Sequence, residues 1–562
     1  MQDQNVSSRG AVGSWLLIVY VIMALLVIMS ALSKAAVSGN WQGILSMGED
    51  FLVVLDFQNE GDTGRIRTYQ GDAVIQDDPL TQISVKENMV SFFIADKHTR
   101  FKGVLQENQI IGKLYFPDGM AHPITFHPIE QPYVADDPPT PNGHIYSPEK
   151  QFAVGNLEED LDVLQNSIIR MHPNPFLFVL QEQFAAKSIA VQTSLQPLNE
   201  LEFYRLLAPI VASVGCCHTS IRPSSACEQW LQSHSCFFPF DIGFVGETAV
   251  LTQAIETPLR IEAGTRLCSI NGKSIQNIIN TLSKSISSDG YNPTARLWEI
   301  QHHFVWLYAL YLETPQKFTI EFESADSKIN TVAVPAARFS ESHGISPNEH
   351  PQPQLPHVSY DDSLSMAVLT VENFAYPDFQ TYHNVLQTTF AGLKEKNINF
   401  LVIDVRGNKG GHPLFAAELY SFLTLTPFQY FSSSGGVPEF DLLTQQLPPK
   451  PEAFQGKIFF MVDGGCLSTT GHFLALAQYH NLGKFIGQTP GSTFYCHDNS
   501  TLVTLPHTGI RLNVPRTTFE AAVQNYSKTD RLQVDYLRIS SVEDFVQGSD
   551  VDLDMVKTLL VK

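Results

Sequence analysis

Asp463-Gly464-Gly465-Cys466-Leu467-Ser468-Thr469-Thr470-Gly471-His472 lies between an apolar run, Ile458 to Val462, and a helix-like run, Thr470 to His480. The pattern is strand, turn, helix. A serine there sits at a helix N-terminus, where the helix dipole and free N–H groups stabilise a developing negative charge. Serine is also a preferred N-cap, so this loop alone does not separate a nucleophile from a cap. Cys466 is a rival nucleophile, but its place before Leu467 puts it nearer the strand end.

On either side of this loop, apolar strands alternate with amphipathic helices: Met366 to Val371, helix Phe379 to Lys394, Phe400 to Val405, helix Leu414 to Leu423, then the segments above and strand Lys484 to Gly487. This alternation predicts a mostly parallel sheet covered by helices, with ligands beyond the carboxyl ends of the strands. One such end carries the 463–472 loop. Another carries Asp404-Val405-Arg406-Gly407-Asn408-Lys409-Gly410-Gly411, whose adjacent glycines let backbone N–H groups face an anion, although a Gly-Gly before a helix also serves as a plain turn. No dinucleotide-binding glycine fingerprint is present.

This α/β unit spans 355–562. A Pro-rich break at His350 to His357 precedes it, and before that residues 237–340 read as a small β-sheet module with an Asn-Gly turn in Gly264 to Lys273 and a helix over Ile275 to Ile286. Residues 151–236 form a helical layer, Leu157 to His172 and Leu198 to Val214, ending in Gly215-Cys216-Cys217-His218-Thr219. The Pro- and Asp-rich stretch within 131–150 is a linker.

From 40 to 130 short strands follow one another: Phe51 to Phe57, Met89 to Asp96, Thr99 to Leu105, Gln109 to Phe116 and Pro123 to Ile129. They predict an all-β accessory domain, a sandwich or small barrel. The fold class is therefore multidomain α+β, in keeping with 562 residues, which call for two to four domains.

Residues 1–36 carry an address. Trp15 to Leu32 is uncharged and apolar, Arg9 precedes it, and Ser33-Lys34-Ala35-Ala36 follows. This marks an export segment, either a signal peptide cleaved near Ala35 or Ala36 or a membrane anchor through residues 15–32. The rest of the chain is then periplasmic, extracellular or held at a membrane outside the cytoplasm. A formal net charge of -21 with no Lys/Arg-rich run excludes nucleic acid as a partner. Seven cysteines without a C-x-x-C pair imply no metal site, and their spacing leaves open a disulfide such as Cys466 to Cys496.

The two loops, together with Gly487-Gln488-Thr489-Pro490-Gly491, resemble the tail-specific, or carboxyl-terminal-processing, serine peptidases and the tricorn core protease. The resemblance runs from Leu157 to the C-terminus. It implies a crotonase-like α/β catalytic core with an inserted PDZ-like module, to which Gly264 to Lys273 would belong and which would hold a substrate chain end. It makes Ser468 the nucleophile and the Gly410/Gly411 turn with the Thr469 N–H the oxyanion hole. Many members use a lysine after the glycine-rich turn, but Ser492 and Thr493 stand there. The tricorn-like branch uses a histidine in a Gly-His-Thr context, which Gly215-Cys216-Cys217-His218-Thr219 resembles. His218 is then the general base, and a neutral imidazole suits that role near neutral pH.

A structural histidine capping the helix is the alternative for His218, and Lys484 and His472 are rival bases. Relatives place an acidic partner after the last strands. Here that region reads Asp530-Arg531-Leu532-Gln533-Val534-Asp535, so Asp530 and Asp535 are the candidates, either of which could be only a strand-edge charge. The implied activity is serine-type hydrolysis of polypeptides or peptides through an acyl-enzyme, with no cofactor. The other readings are a non-catalytic ligand carrier on the same fold and a non-peptide esterase; the lack of a G-x-S-x-G motif disfavours an α/β-hydrolase.

Overall fold

The structure, a computed structural model, describes residues 39–129 apart from 47–49, 59–62, 71–72, 87, 95–98, 107–108 and 116–120, and residues 146–561 apart from 235, 257–259, 325–326 and 342–353. The expected export segment, 1–36, and most of the linker lie outside the described residues. The chain divides into two compact units, 1–142 and 143–562. Among the described residues no helix is long and apolar enough to cross a membrane.

The first unit is a closed antiparallel barrel of β1 (Gly39–Ser46), β2 (Asp50–Gln58), β3 (Thr63–Gln70), β4 (Ala73–Lys86), β5 (Met89–Ile94), β6 (Arg100–Gln106), β7 (Gln109–Tyr115) and β8 (Ala121–Ile129), with β1 pairing β8. Closure leaves no free edge. β3 escapes a reading for apolar runs because only its inward positions alternate: Ile66 and Thr68 are buried while Arg65 and Arg67 are not. Aromatic rings fill the interior, Phe92 stacking on Phe101 at 4.9 Å and Phe101 meeting Phe126 edge-on at 5.6 Å. The Phe101 ring lies over the cross-strand pair Gly103 and Gly112, where a Cβ on Gly112 would come within 2.5 Å of the ring.

The second unit opens with three helices, α1 (Val154–Met171), α2 (Gln181–Ser194) and α3 (Glu200–Ala212). Asn199 and Glu202 form a reciprocal capping box that fixes the start of α3. The helix buries Leu201, Tyr204, Leu207 and Val211, so its far end and the following turn are held in place.

A six-stranded antiparallel sheet follows, built from Ile242–Val245, Thr248–Leu251, Arg266–Ile270, Lys273–Ser274, Lys317–Glu323 and Ile329–Pro335. The Asn271-Gly272 turn joins its third and fourth strands with φ of 49° and 74°, the left-handed pair that a two-residue hairpin needs. Within this module a long helix departs from the sequence reading. Helix α4 (Pro293–Tyr311) runs through a stretch taken as β-like, because 303–310 is buried all round and shows no polar face to reveal a helical period. Its Asn292 cap and Pro293 at the first turn were the available signals.

The last sheet has the order β9 (His357–Asp361), β10 (Met366–Thr370), β11 (Phe400–Asp404), β12 (Lys457–Val462), β13 (Gly483–Gly487) and β15 (Tyr536–Leu537), all parallel except the edge pair β9–β10. Leu401 and Ile403 of β11 face one core with helices α5 (Phe379–Glu395), α6 (Pro413–Ser421) and α7 (Thr469–Tyr479). Val402 faces a second core with Val556 of the C-terminal helix α8 (Val551–Val561). Burial on both faces explains the unbroken apolar strands. Beside this sheet, β14 (Tyr495–Asp498) pairs with Thr517–Ala521. The carboxyl ends of β11 and β12 deliver the two glycine-rich loops.

Candidate active site

Ser468 occupies the turn between β12 and α7 with φ 53° and ψ −122°. These are the angles of a turn position that glycine normally takes. A serine held there costs about 1–3 kcal/mol, and its hydroxyl makes no capping bond to the helix. The reading of Ser468 as an N-cap is therefore not what the geometry shows.

The partner loop packs directly on this turn. Gly410 has φ 103°, and a Cβ there would lie 2.8 Å from both Ser468 Cβ and the Thr469 nitrogen. Asn408, fully buried, ties the loops together: its Oδ1 accepts from the Gly410 N–H at 2.9 Å and the Thr470 hydroxyl at 2.7 Å, and its Nδ2 donates to the Val371 carbonyl at 2.9 Å. The Thr469 hydroxyl donates to the Gly411 carbonyl. Of the three expected oxyanion donors, Gly410 therefore has its N–H already engaged. Those of Gly411 and Thr469 have no hydrogen bond among the described residues. Asp463 braces the base of the turn, accepting from the Gly407 and Gly465 N–H groups and from Trp298 Nε1.

His218 stands on the turn after α3, which is clamped at three points. The Cys217 N–H donates to Asp289 Oδ1 at 2.9 Å, Asn513 Nδ2 donates to the His218 carbonyl at 2.8 Å, and the Gly290 N–H donates to the Gly215 carbonyl at 2.9 Å. The ring has partners on both nitrogens. Nε2 lies 3.4 Å from Asp498 Oδ2, while Nδ1 faces Cys217 Sγ at 3.2 Å and Cys496 Sγ at 3.7 Å. Cys496 and Asp498 share one face of β14 because strand side chains alternate. Burial opposes charge on the ring, but the Asp498 carboxylate and the two sulfurs outweigh it and hold the pKa well above the ordinary imidazole value.

Among the described residues no hydrogen bond joins His218 to Ser468. The charge of His218 nonetheless reaches helix α7, which begins at Thr469. His472, whose N–H donates to the Ser468 carbonyl at 3.2 Å, is depressed to about 3 by burial and by the charge of His218. Buried Asp289, raised by burial, is pulled back chiefly by the same imidazole.

The expectation for the acidic partner is corrected. Asp530 Oδ2 accepts the Ser527 N–H within a local turn, and Asp535 is shared between Lys484 Nζ at 2.7 Å and the Phe485 N–H at 2.9 Å. Neither bonds to His218; Asp498 is the carboxylate beside it. The same pair occupies Lys484. His472 is core, 2% exposed and edge-on to Phe431. The Cys466–Cys496 disulfide is also corrected, since all seven cysteines are free thiols. Cys466 points at the Val405 carbonyl, 3.1 Å away, and burial drives its thiol pKa well up. Asp498 and Asn408 were missed; Cys496-His497-Asp498, downstream of the glycine-rich turn, was the only sequence cue to the former.

Residues 365–527 match the model of peptidase family S41. Among solved structures, mature CPAF superposes with a TM-score of 0.52 at 13% identity, covering 73% of this chain and 97% of that one. A photosystem II D1 C-terminal processing protease gives 0.36 at 12% identity over 71% of this chain and 98% of the other, and the tricorn protease 0.31 at 12% over 91% and 46%. At 13% identity the likeness to CPAF is one of fold. No curated protein matches the sequence.

Proposed function

From a chain that is a serine peptidase, its residues 365–527 belonging to peptidase family S41, we propose that Ser468 attacks a substrate carbonyl and passes through an acyl-enzyme. His218 takes the serine proton and returns it to the leaving amine. Asp498 orients the imidazole, and the N–H groups of Gly411 and Thr469 receive the oxyanion. No cofactor enters this scheme.

The observation that carries the reading is the conformation of Ser468. A non-glycine residue in a glycine-type turn, with a hydroxyl that does not cap the helix behind it, is what a strained nucleophile turn requires. Its contact with Gly410 sets an anion-binding loop against it.

The α/β unit is proposed as a crotonase-like core and the 237–340 region as a PDZ-like module that holds a polypeptide end. The substrates are polypeptides or peptides met outside the cytoplasm, after export directed by residues 1–36, with residues 15–32 available as an anchor. A fluorophosphonate probe tests the reading. It should label the native chain, not Ser468→Ala, and His218→Ala only at a small residual rate. A wholly unlabelled native chain would leave the carrier reading standing.

A further inference from the structure

Two thiols that come from opposite parts of the sequence converge on one nitrogen of the base. Cys217, on the turn after α3, and Cys496, on β14, approach His218 Nδ1 at 3.2 Å and 3.7 Å. Their positions are separately fixed, Cys217 by its N–H bond to Asp289 and Cys496 by the ladder pairing of β14 with residue Phe519. Both are free thiols. Because each approaches the same atom, at 3.2 Å and 3.7 Å, the two sulfurs lie no more than 6.9 Å apart.

The other nitrogen, Nε2, faces Asp498. In a serine–histidine–carboxylate relay one ring nitrogen serves the carboxylate and the other serves the hydroxyl, so Nδ1 is the nitrogen left for Ser468. Sulfur occupies it. When the ring is neutral, a thiol S–H donates into its lone pair; when the ring is charged, its N–H points at sulfur.

We propose that Cys217 and Cys496 are an oxidisable thiol pair that holds His218 away from Ser468 while reduced, and that closing them into a disulfide releases the base. The inference rests on the assignment of His218 as the base. Hydrogen peroxide is a sufficient oxidant. From the neutral-ring state, Cys217 passes its proton to His218 Nδ1, its sulfur attacks one peroxide oxygen, the O–O bond breaks, and the departing hydroxide takes the proton as water. Cys496 sulfur then attacks the sulfenic sulfur, the S–O bond breaks, and the second hydroxide leaves with the Cys496 proton as water. Two thiols and one peroxide give one disulfide and two waters. The disulfide has no S–H to donate and no sulfur to ionise, so two of the influences that raise the His218 pKa disappear with it.

The full chain, reduced with dithiothreitol or treated with hydrogen peroxide that is then removed by catalase, is mapped by mass spectrometry and timed for fluorophosphonate labelling. The expected result is a Cys217–Cys496 crosslink, resolved from Cys216 by fragmentation, and labelling at least tenfold faster after oxidation. Cys217→Ala and Cys496→Ala should label at the faster rate when reduced and ignore peroxide, whereas Cys217→Ser, which keeps an O–H against Nδ1, should stay slow. Recovery of both thiols as separate alkylated peptides after peroxide overturns the proposal, as does a mapped crosslink with unchanged or slower labelling. Mapping needs no catalysis, so its outcome is separate from the assignment of the base. Labelling that survives in Ser468→Ala would instead defeat the assignment of the nucleophile.

Discussion

The Asn408 carboxamide oxygen and the Thr470 hydroxyl lie 2.7 Å apart, fastening two loops that are 62 residues apart in the chain. The same oxygen holds the Gly410 N–H, so one buried side chain sets the distance between the glycine turn and the serine turn. Asn408→Ala strands a buried N–H, a hydroxyl and a carbonyl, which should cost about 1–3 kcal/mol for the groups left unpaired. Chemical denaturation should show the loss. Peptidase activity should fall further than stability, because the proposed oxyanion donors and nucleophile would no longer be held in register. Wild-type activity in a destabilised Asn408→Ala would refute that link.

Ser468 stores backbone strain that glycine would not feel. Ser468→Gly should be more stable than Ser468→Ala by about 1 kcal/mol, read from unfolding midpoints, since only glycine accepts φ 53° freely. Both variants should lose at least about a thousandfold in kcat. Equal stabilities would mean that the turn is not strained.

The pH profile follows from the Asp498–His218 pair. A carboxylate 3.4 Å from Nε2 favours the charged ring, and in the proposed mechanism only the neutral ring accepts the serine proton. Activity should therefore rise with pH along a limb lying above the usual imidazole range. Asp498→Asn removes the negative charge, so the limb should move to lower pH while the plateau falls. A limb that stays put in this variant would show that Asp498 does not act on the base.

Asp530 and Asp535 give the contrasting case. With one carboxylate in a local turn and the other on Lys484 and the Phe485 N–H, Asp530→Asn and Asp535→Asn should keep kcat/KM within about threefold of the native value, since neither touches the imidazole. A hundredfold loss in either, with the fold intact by circular dichroism, would restore it as the orienting acid.

Arg406 ties the C-terminal helix to the sheet. Its guanidinium binds Asp404 and Asp550 through close charge-assisted bonds and reaches Asp552 at 3.1 Å. Arg406→Ala leaves three carboxylates facing one another and should cost about 3 kcal/mol, visible as a lower Tm. Arg406→Lys, which cannot reproduce the fork, should recover only part of it.

The alternation of apolar and amphipathic segments from 366 to 487 was enough to determine the parallel sheet. Each strand there is buried on both faces and helix α5 shows one apolar side, while α6 and α7, buried nearly all round, are marked by the glycine-rich turns that precede them. The glycine loops at the strand ends and the place of Ser468 at a strand–helix turn were readable for the same reason: they lie in one continuous strand–turn–helix, whereas the positive φ of Ser468 was not. Helix α4 was hidden because burial on all sides erases periodicity. The partners of His218 were hidden more deeply. Asp498 and Cys496 reach the imidazole only because β14 folds back, Cys496 lying 278 positions from His218, and no local signal beyond Cys496-His497-Asp498 marks Asp498 over Asp530 or Asp535. Sequence spacing records what chain neighbours can do. Which carboxylate and which sulfurs meet a given ring is decided by the packing of elements far apart along the chain.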